Sequence, residues 1–138
     1  MGGELYITFT MDCERIAEYS PTGGPESWAQ SERAIRGFAE ILLRHNLLAT
    51  LFITPETAVQ HEAMFLELEK QGFELGMHLH PQSFRDNTHD EHLGGYAYED
   101  QVEILSQAQD DWADAFGKRA TSFRPGHFSA NDSTFKAL

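Results

Sequence analysis

The sequence predicts an α/β protein built on parallel strands, and two observations lead there. Apolar strand-like runs alternate with helix-period segments long enough to serve as crossovers. Three polar islands each follow such a run directly: Thr10-Met11-Asp12-Cys13-Glu14, Gly76-Met77-His78-Leu79-His80-Pro81 and Ser122-Phe123-Arg124-Pro125-Gly126. Carboxylates, imidazoles and a guanidinium at the carboxyl ends of successive strands are how an α/β protein assembles a polar site on one rim. The chain therefore reads as an enzyme.

Residues 5–11 alternate and form the first predicted strand, which delivers Asp12; 13–25 is a loop with turn signals at Pro21-Thr22-Gly23-Gly24-Pro25. A helix capped by Ser27 or Ser31 runs to about His45, with Ile35, Phe38, Ile41 and Leu42 on its apolar face and Asn46 at its stop. Residues 47–54 form the second strand, closed by Pro55. A helix over about 57–71 follows, with Val59, Met64, Phe65 and Leu68 apolar and Gly72 just past its end. Residues 73–79 form the third strand, and 81–95 a polar loop carrying His89 and His92. A helix over 96–116 places Tyr98, Val102, Leu105, Trp112 and Phe116 at helical spacing and stops at Gly117; residues 121–123 start a fourth strand that delivers Arg124. Residues 132–138 look like the opening turns of a helix. Four strands are too few to close an eight-stranded barrel. The chain is thus either an open sheet or the front portion of a larger domain, and we prefer the second: residues 1–138 as one domain, truncated at its C-terminus.

With 138 residues, 41% hydrophobic and 23% charged, the chain has the composition of a globular domain with a real core. Its 22 acidic against 10 basic residues leave a net charge of −12, which offers no footprint for nucleic acid or anionic membranes. Cys13 is the only cysteine, so neither an intrachain disulfide nor a cysteine-based zinc site can form. The start has no basic stretch followed by an apolar one, so no signal peptide and a cytoplasmic location are expected. No apolar run is long enough to span a bilayer.

His78 and His80 lie i and i+2 on a strand and so point to one side, where two imidazoles suit zinc or another divalent ion. Asp12 and Glu14 have the same spacing. One of the two can ligate a metal while the other takes a proton from bound water. Arg124 can hold a carboxylate such as Asp12 in a fixed orientation, and backbone N–H groups of its Pro-Gly turn can face a developing oxyanion. Each island alone also has a bland reading, as a strand-end Asp or a surface Arg at a turn; together they point to a metal site. His127 is a turn residue, a substrate contact or neither. His89 and His92 are expected in solvent, His45 and His61 on helix surfaces, and Cys13 as a small buried hydrophobe. Trp28, Tyr96 and Tyr98 offer faces on which a sugar can stack.

The three islands, in this order, resemble the polysaccharide deacetylase family (carbohydrate esterase family four, the NodB homology domain). Thr10-Met11-Asp12-Cys13-Glu14 is similar to its first motif in the variant with acidic residues one apart. Glu74-Leu75-Gly76-Met77-His78 is similar to the approach to its second, and Ser122 to Gly126 to its third. The His-Leu-His-Pro form resembles a subgroup associated with cell-surface polysaccharide synthesis. The resemblance implies the N-terminal part of a distorted (β/α) barrel of the NodB type. It also implies metal-dependent removal of acetyl groups from a sugar or polysaccharide, with a divalent cofactor, zinc foremost. Asp12 would be the base, Glu14 and His78 metal ligands and Arg124 the support of Asp12, with a backbone N–H near His127 facing the oxyanion. Two departures stand out. The family's second histidine, four residues on, falls at Gln82, so His80 is taken as its replacement. Strict alignment places Cys13 at the metal position, and Glu14 is preferred. Two alternatives accompany this reading: hydrolysis of a ureide-type amide, and a catalytically degenerate domain that binds glycan or forms a homo-oligomer.

Overall fold

The computed structural model describes residues 3–138. Met1 and Gly2, part of the start read for a leader, lie outside the described residues. Four strands, β1 (Phe9–Cys13), β2 (Ala49–Ile53), β3 (Glu74–Leu79) and β4 (Phe123–Pro125), form one sheet in the order β1-β2-β3-β4, every pairing parallel. The connections are α1 (Trp28–Arg44) after β1, α2 (Pro55–Gln60) and α3 (Glu62–Lys70) after β2, and α4 (Tyr98–Phe116) after β3; α5 (Thr134–Ala137) follows β4. Among the described residues no helix is long and apolar enough to cross a membrane.

The first and last strands sit further along the chain than expected. β1 pairs Phe9 with Ala49 through Cys13 with Ile53, so Asp12 lies inside the strand and Leu5, Tyr6 and Ile7 are exposed ahead of it. The apolar alternation of residues 5–7 has no neighbouring strand to pair with, and pairing decides where a strand is. Likewise Arg124 lies within β4, where it pairs with His78.

Ser27 is the cap of α1, its Oγ accepting from the Gln30 N–H at 3.2 Å, while Ser31 is buried inside the helix. The stop at Asn46 has a left-handed φ of 53°, with Asn46 N–H donating to Leu43 and Leu47 N–H to Leu42. Gly72 ends α3 in the same way at φ 105°, the Gly72 and Phe73 N–H groups donating to Glu69 and Leu68.

The expected helix over 57–71 is two helices, broken at His61 (φ −121°, ψ 26°). His61 is also buried rather than on the surface, its ring edge-on to Trp28 and Phe65. Ile41, Val59, Tyr98 and Val102, placed on apolar faces by periodicity, are substantially exposed. The expected Ile35 and Leu42 on α1 and Leu105, Trp112 and Phe116 on α4 are buried, and Ala39, Ile104 and Ala108 complete the inward stripes.

Period-two alternation gives the sheet two faces. Leu51, Ile53, Leu75, Met77 and Leu79 are buried with Phe65, Phe84 and Trp112 in one core. Truncating a buried ring of this kind to alanine costs about 3–5 kcal/mol. Thr10, Asp12, Phe52, Gly76, His78 and Arg124 belong to the opposite face. Gly76 is required there, since a Cβ would sit 2.8 Å from the Phe52 ring and 2.6 Å from Ser122 Oγ.

Candidate metal and hydrolytic site

The chain ends of β1, β3 and β4 converge on a cavity of about 330 Å³ lined by Asp12, Glu14, His78, His80, Arg124 and His127, with the 22–24 turn as one wall. Glu14 follows β1 and turns Oε1 toward both imidazoles, 3.1 Å from His78 Nε2 and 2.9 Å from His80 Nε2. The three residues offer ligand atoms within 4.8 Å of one another. Strand spacing puts His78 and His80 on one side, and their rings meet edge to face at 4.9 Å.

His78 is almost fully buried, and its Nδ1 lies 2.7 Å from the Arg124 carbonyl. Nδ1–H donates to that carbonyl. With Glu14 on the other side, both ring nitrogens face acceptors, which suits a protonated imidazole. Burial works against that charge, but the Glu14 hydrogen bond and the nearby Glu14 and Asp12 carboxylates outweigh it, so the His78 pKa is raised. Burial would likewise lift Glu14, yet the hydrogen bonds from His78 and His80 hold its carboxyl at about 2. Glu14 Oε1 and the two imidazole Nε2 atoms thus face one another across the place that a cation would take. Glu14 Oε2 and His80 Nδ1 are buried without a hydrogen-bond partner. Two imidazoles and a carboxylate, with one oxygen to spare, fit zinc or a similar divalent ion, and the carbonyl on His78 Nδ1 is the kind of partner that orients a ligating ring.

Asp12 stands beside this cluster. Arg124 Nη1 donates to its Oδ1 at 2.6 Å, and its Oδ2 lies 3.9 Å from His78 Nε2. The guanidinium is itself fixed, donating through Nη2 to Thr10 Oγ1 at 3.1 Å and lying over the Phe52 ring at 4.2 Å. Thr10 was within reach of sequence reasoning, two residues before Asp12 on the same strand face. Phe52 was not, because its role depends on strand order.

Gly126 has a further role. A Cβ there would fall 2.2 Å from His80 Nδ1, so only glycine leaves room for the ring. The left-handed residues after the Pro-Gly pair are His127 (φ 54°) and Phe128 (φ 52°), not Gly126 itself. His127 is exposed, its ring 5.0 Å from His80 and 4.7 Å from His92, and partial burial followed by those neighbouring imidazoles lowers its pKa.

Cys13, at the position strict alignment would give to a ligand, is buried away from the cluster, and burial pushes its thiol pKa well up. Gln82 donates to His92 Nδ1 at 2.9 Å instead of meeting Glu14. His89 faces Tyr96, His45 is exposed, and Trp28 packs on His61 away from the cavity.

The family model described as polysaccharide deacetylase matches residues 24–138. Asp12 and Glu14 precede that stretch, and their place in the site rests on the geometry above. No curated protein matches the chain. A family 4 carbohydrate esterase from Streptomyces lividans, solved with acetate, superposes with a TM-score of 0.65 at 18% identity, over 96% of this chain and 56% of its own. A peptidoglycan deacetylase from Bacillus subtilis gives 0.63 at 16%, over 94% and 52%. A family 4 pseudoenzyme from Bacillus anthracis gives 0.65 at 15%, over 94% and 38%. These likenesses show the fold: four parallel strands of a partial (β/α) barrel. The chain spans about half the length of the first two of these structures.

Proposed function

The chain belongs to the polysaccharide deacetylase family, and on that premise we propose that it hydrolyses acetyl groups from a sugar or cell-surface polysaccharide with the help of a divalent cation, zinc first among them. One observation carries the reading: a Glu-His-His cluster able to hold a cation stands beside an aspartate that an arginine keeps in place. Glu14, His78 and His80 would hold the cation. When bound, such an ion makes water easier to deprotonate and polarises a carbonyl.

The remaining chemistry falls to the chain's own groups. Asp12 Oδ2, turned toward His78, accepts the proton of the attacking water, while Oδ1 stays committed to Arg124. Arg124 keeps Asp12 oriented before reaction, and Thr10 and Phe52 keep Arg124 from swinging away. The acetyl carbonyl becomes negatively charged as water adds, and a backbone N–H near His127, a residue of the cavity lining, would face it.

Acetate release from acetylated amino-sugar and xylan oligosaccharides, in the presence of zinc, tests this. The wild type releases acetate and Asp12→Ala does not, while its thermal unfolding stays cooperative. Release unchanged by Asp12→Ala would remove Asp12 from the base role. Ureide hydrolysis without acetate release would favour the other amide chemistry. Zinc uptake with neither activity would favour a glycan-binding domain.

A further inference from the structure

Arg15 follows Glu14 directly, yet its side chain leaves the cavity and crosses to the loop after β3. Its Nη1 donates to the Ser83 carbonyl at 2.8 Å and to the Arg85 carbonyl at 2.7 Å, and lies 3.7 Å from Glu56 Oε1 at the start of α2. The guanidinium also lies over the Tyr19 ring at 5.2 Å, and the side chain is only 15% exposed.

The segment it grips is fixed from the far side as well. The Arg85 N–H donates to Glu56 Oε1 at 2.7 Å. The Arg85 guanidinium makes a two-pronged pair with Asp111 on α4, both contacts at 2.9 Å, and donates to Gln107. Arg85 holds a left-handed φ of 50°, a costly conformation for a residue with a side chain. Ser83 Oγ joins the same tie, 2.7 Å from Ser20 Oγ and 2.9 Å from Thr22 Oγ1.

Arg15 is therefore bonded to one candidate ligand by its peptide link, and through Ser83 it is three residues from another, His80. We propose that Arg15 is a positioning residue for the cation site: it locks the strand end that carries Glu14 to the loop that follows His80, and so sets the spacing between the carboxylate and the imidazoles. This rests on the cation-dependent reading above. All three polar contacts run through the one nitrogen Nη1, while the planar guanidinium lies over the Tyr19 ring; a lysine ammonium keeps the charge as a point on a flexible stem and loses that stacking.

The test titrates zinc alone into metal-free wild type, Arg15→Met and Arg15→Lys by calorimetry, with the visible spectrum of the cobalt-loaded forms recorded beside it. Arg15→Met is expected to bind zinc about 10- to 100-fold more weakly, the usual effect of removing a group that orients ligands, and Arg15→Lys to fall between. The cobalt spectrum, which follows ligand geometry and not global stability, is expected to change in Arg15→Met and to recover in part in Arg15→Lys. Should Arg15→Met fail to fold, Arg15→Lys carries the comparison, since it retains the charge. Wild-type zinc affinity and an unaltered cobalt spectrum in a folded variant would overturn the assignment. Zinc binding that depends on Arg15 but comes without acetate release would contradict the hydrolase reading and leave the positioning role standing. A wild type that takes up no zinc would overturn both.

Discussion

Gly126→Ala gives a sharp perturbation of the site, because its effect can be worked out from distances. The backbone at Gly126 lies outside the left-handed region, so alanine meets no conformational penalty there. The added Cβ would stand 2.2 Å from His80 Nδ1 and 2.5 Å from Cε1 and Cγ, where ordinary contact begins at 3.4 Å. The ring must retreat by about 1 Å or the turn must open. His80 has little freedom to do so, with the His78 and His127 rings 4.9 and 5.0 Å from its own. Withdrawal would break the 2.9 Å contact between His80 Nε2 and Glu14. Overpacking of this kind costs about 1–3 kcal/mol of stability, and a displacement of about 1 Å at a reacting centre costs on the order of 100-fold in rate. Thermal unfolding reads the first effect; zinc titration and acetate release read the second. A Gly126→Ala protein with wild-type stability and zinc affinity would refute the placement of His80 against the turn, and with it the argument that glycine is there for space.

Three other outcomes follow from the same geometry. Arg124→Lys cannot reach Asp12 and Thr10 together, so turnover should fall at least about 10-fold with KM little changed; steady-state acetate release would show it. Glu14 is held at about 2 against an ordinary 4.5, and His78 is raised above its ordinary 6.5. Their pairing therefore stabilises the metal-free fold fully between about pH 4.5 and 6.5, and loses its effect as pH falls toward 2 or rises through the His78 pKa. Urea unfolding should show the gap between wild type and Glu14→Gln widest inside that window and narrowing on both sides. Cys13 is buried with a thiol pushed up by burial, so a thiol reagent at pH 8 should label it only on unfolding.

The convergence of the site was legible because it rests on local rules. Period two puts His78 and His80 on one side, and an island after each strand brings the ends of parallel strands to one rim. The helix stops at Asn46 and Gly72 were legible for the same reason. Pairing was not: residues 5–7 alternate like a strand, but the register begins at Phe9 because Ala49 begins its partner. His61 looked like a surface residue in an unbroken helix, whereas the helix breaks there and its ring lies edge-on to Phe65 and to Trp28, a neighbour that no local pattern records. Gly126 and Arg15 escaped for a related reason. Their partners lie far along the chain, Ser83 being 68 residues from Arg15, and no local pattern records such a contact.

The central claim is that Glu14, His78 and His80 together hold a divalent cation. Elemental analysis of the purified protein, alongside Glu14→Ala, His78→Ala and His80→Ala, tests it most directly. The account predicts about one equivalent of zinc or a similar ion per wild-type chain, lost or sharply reduced in each variant while the fold is retained. A wild type that takes up no metal even from excess zinc, or a His80→Ala protein that keeps its full equivalent, would contradict it.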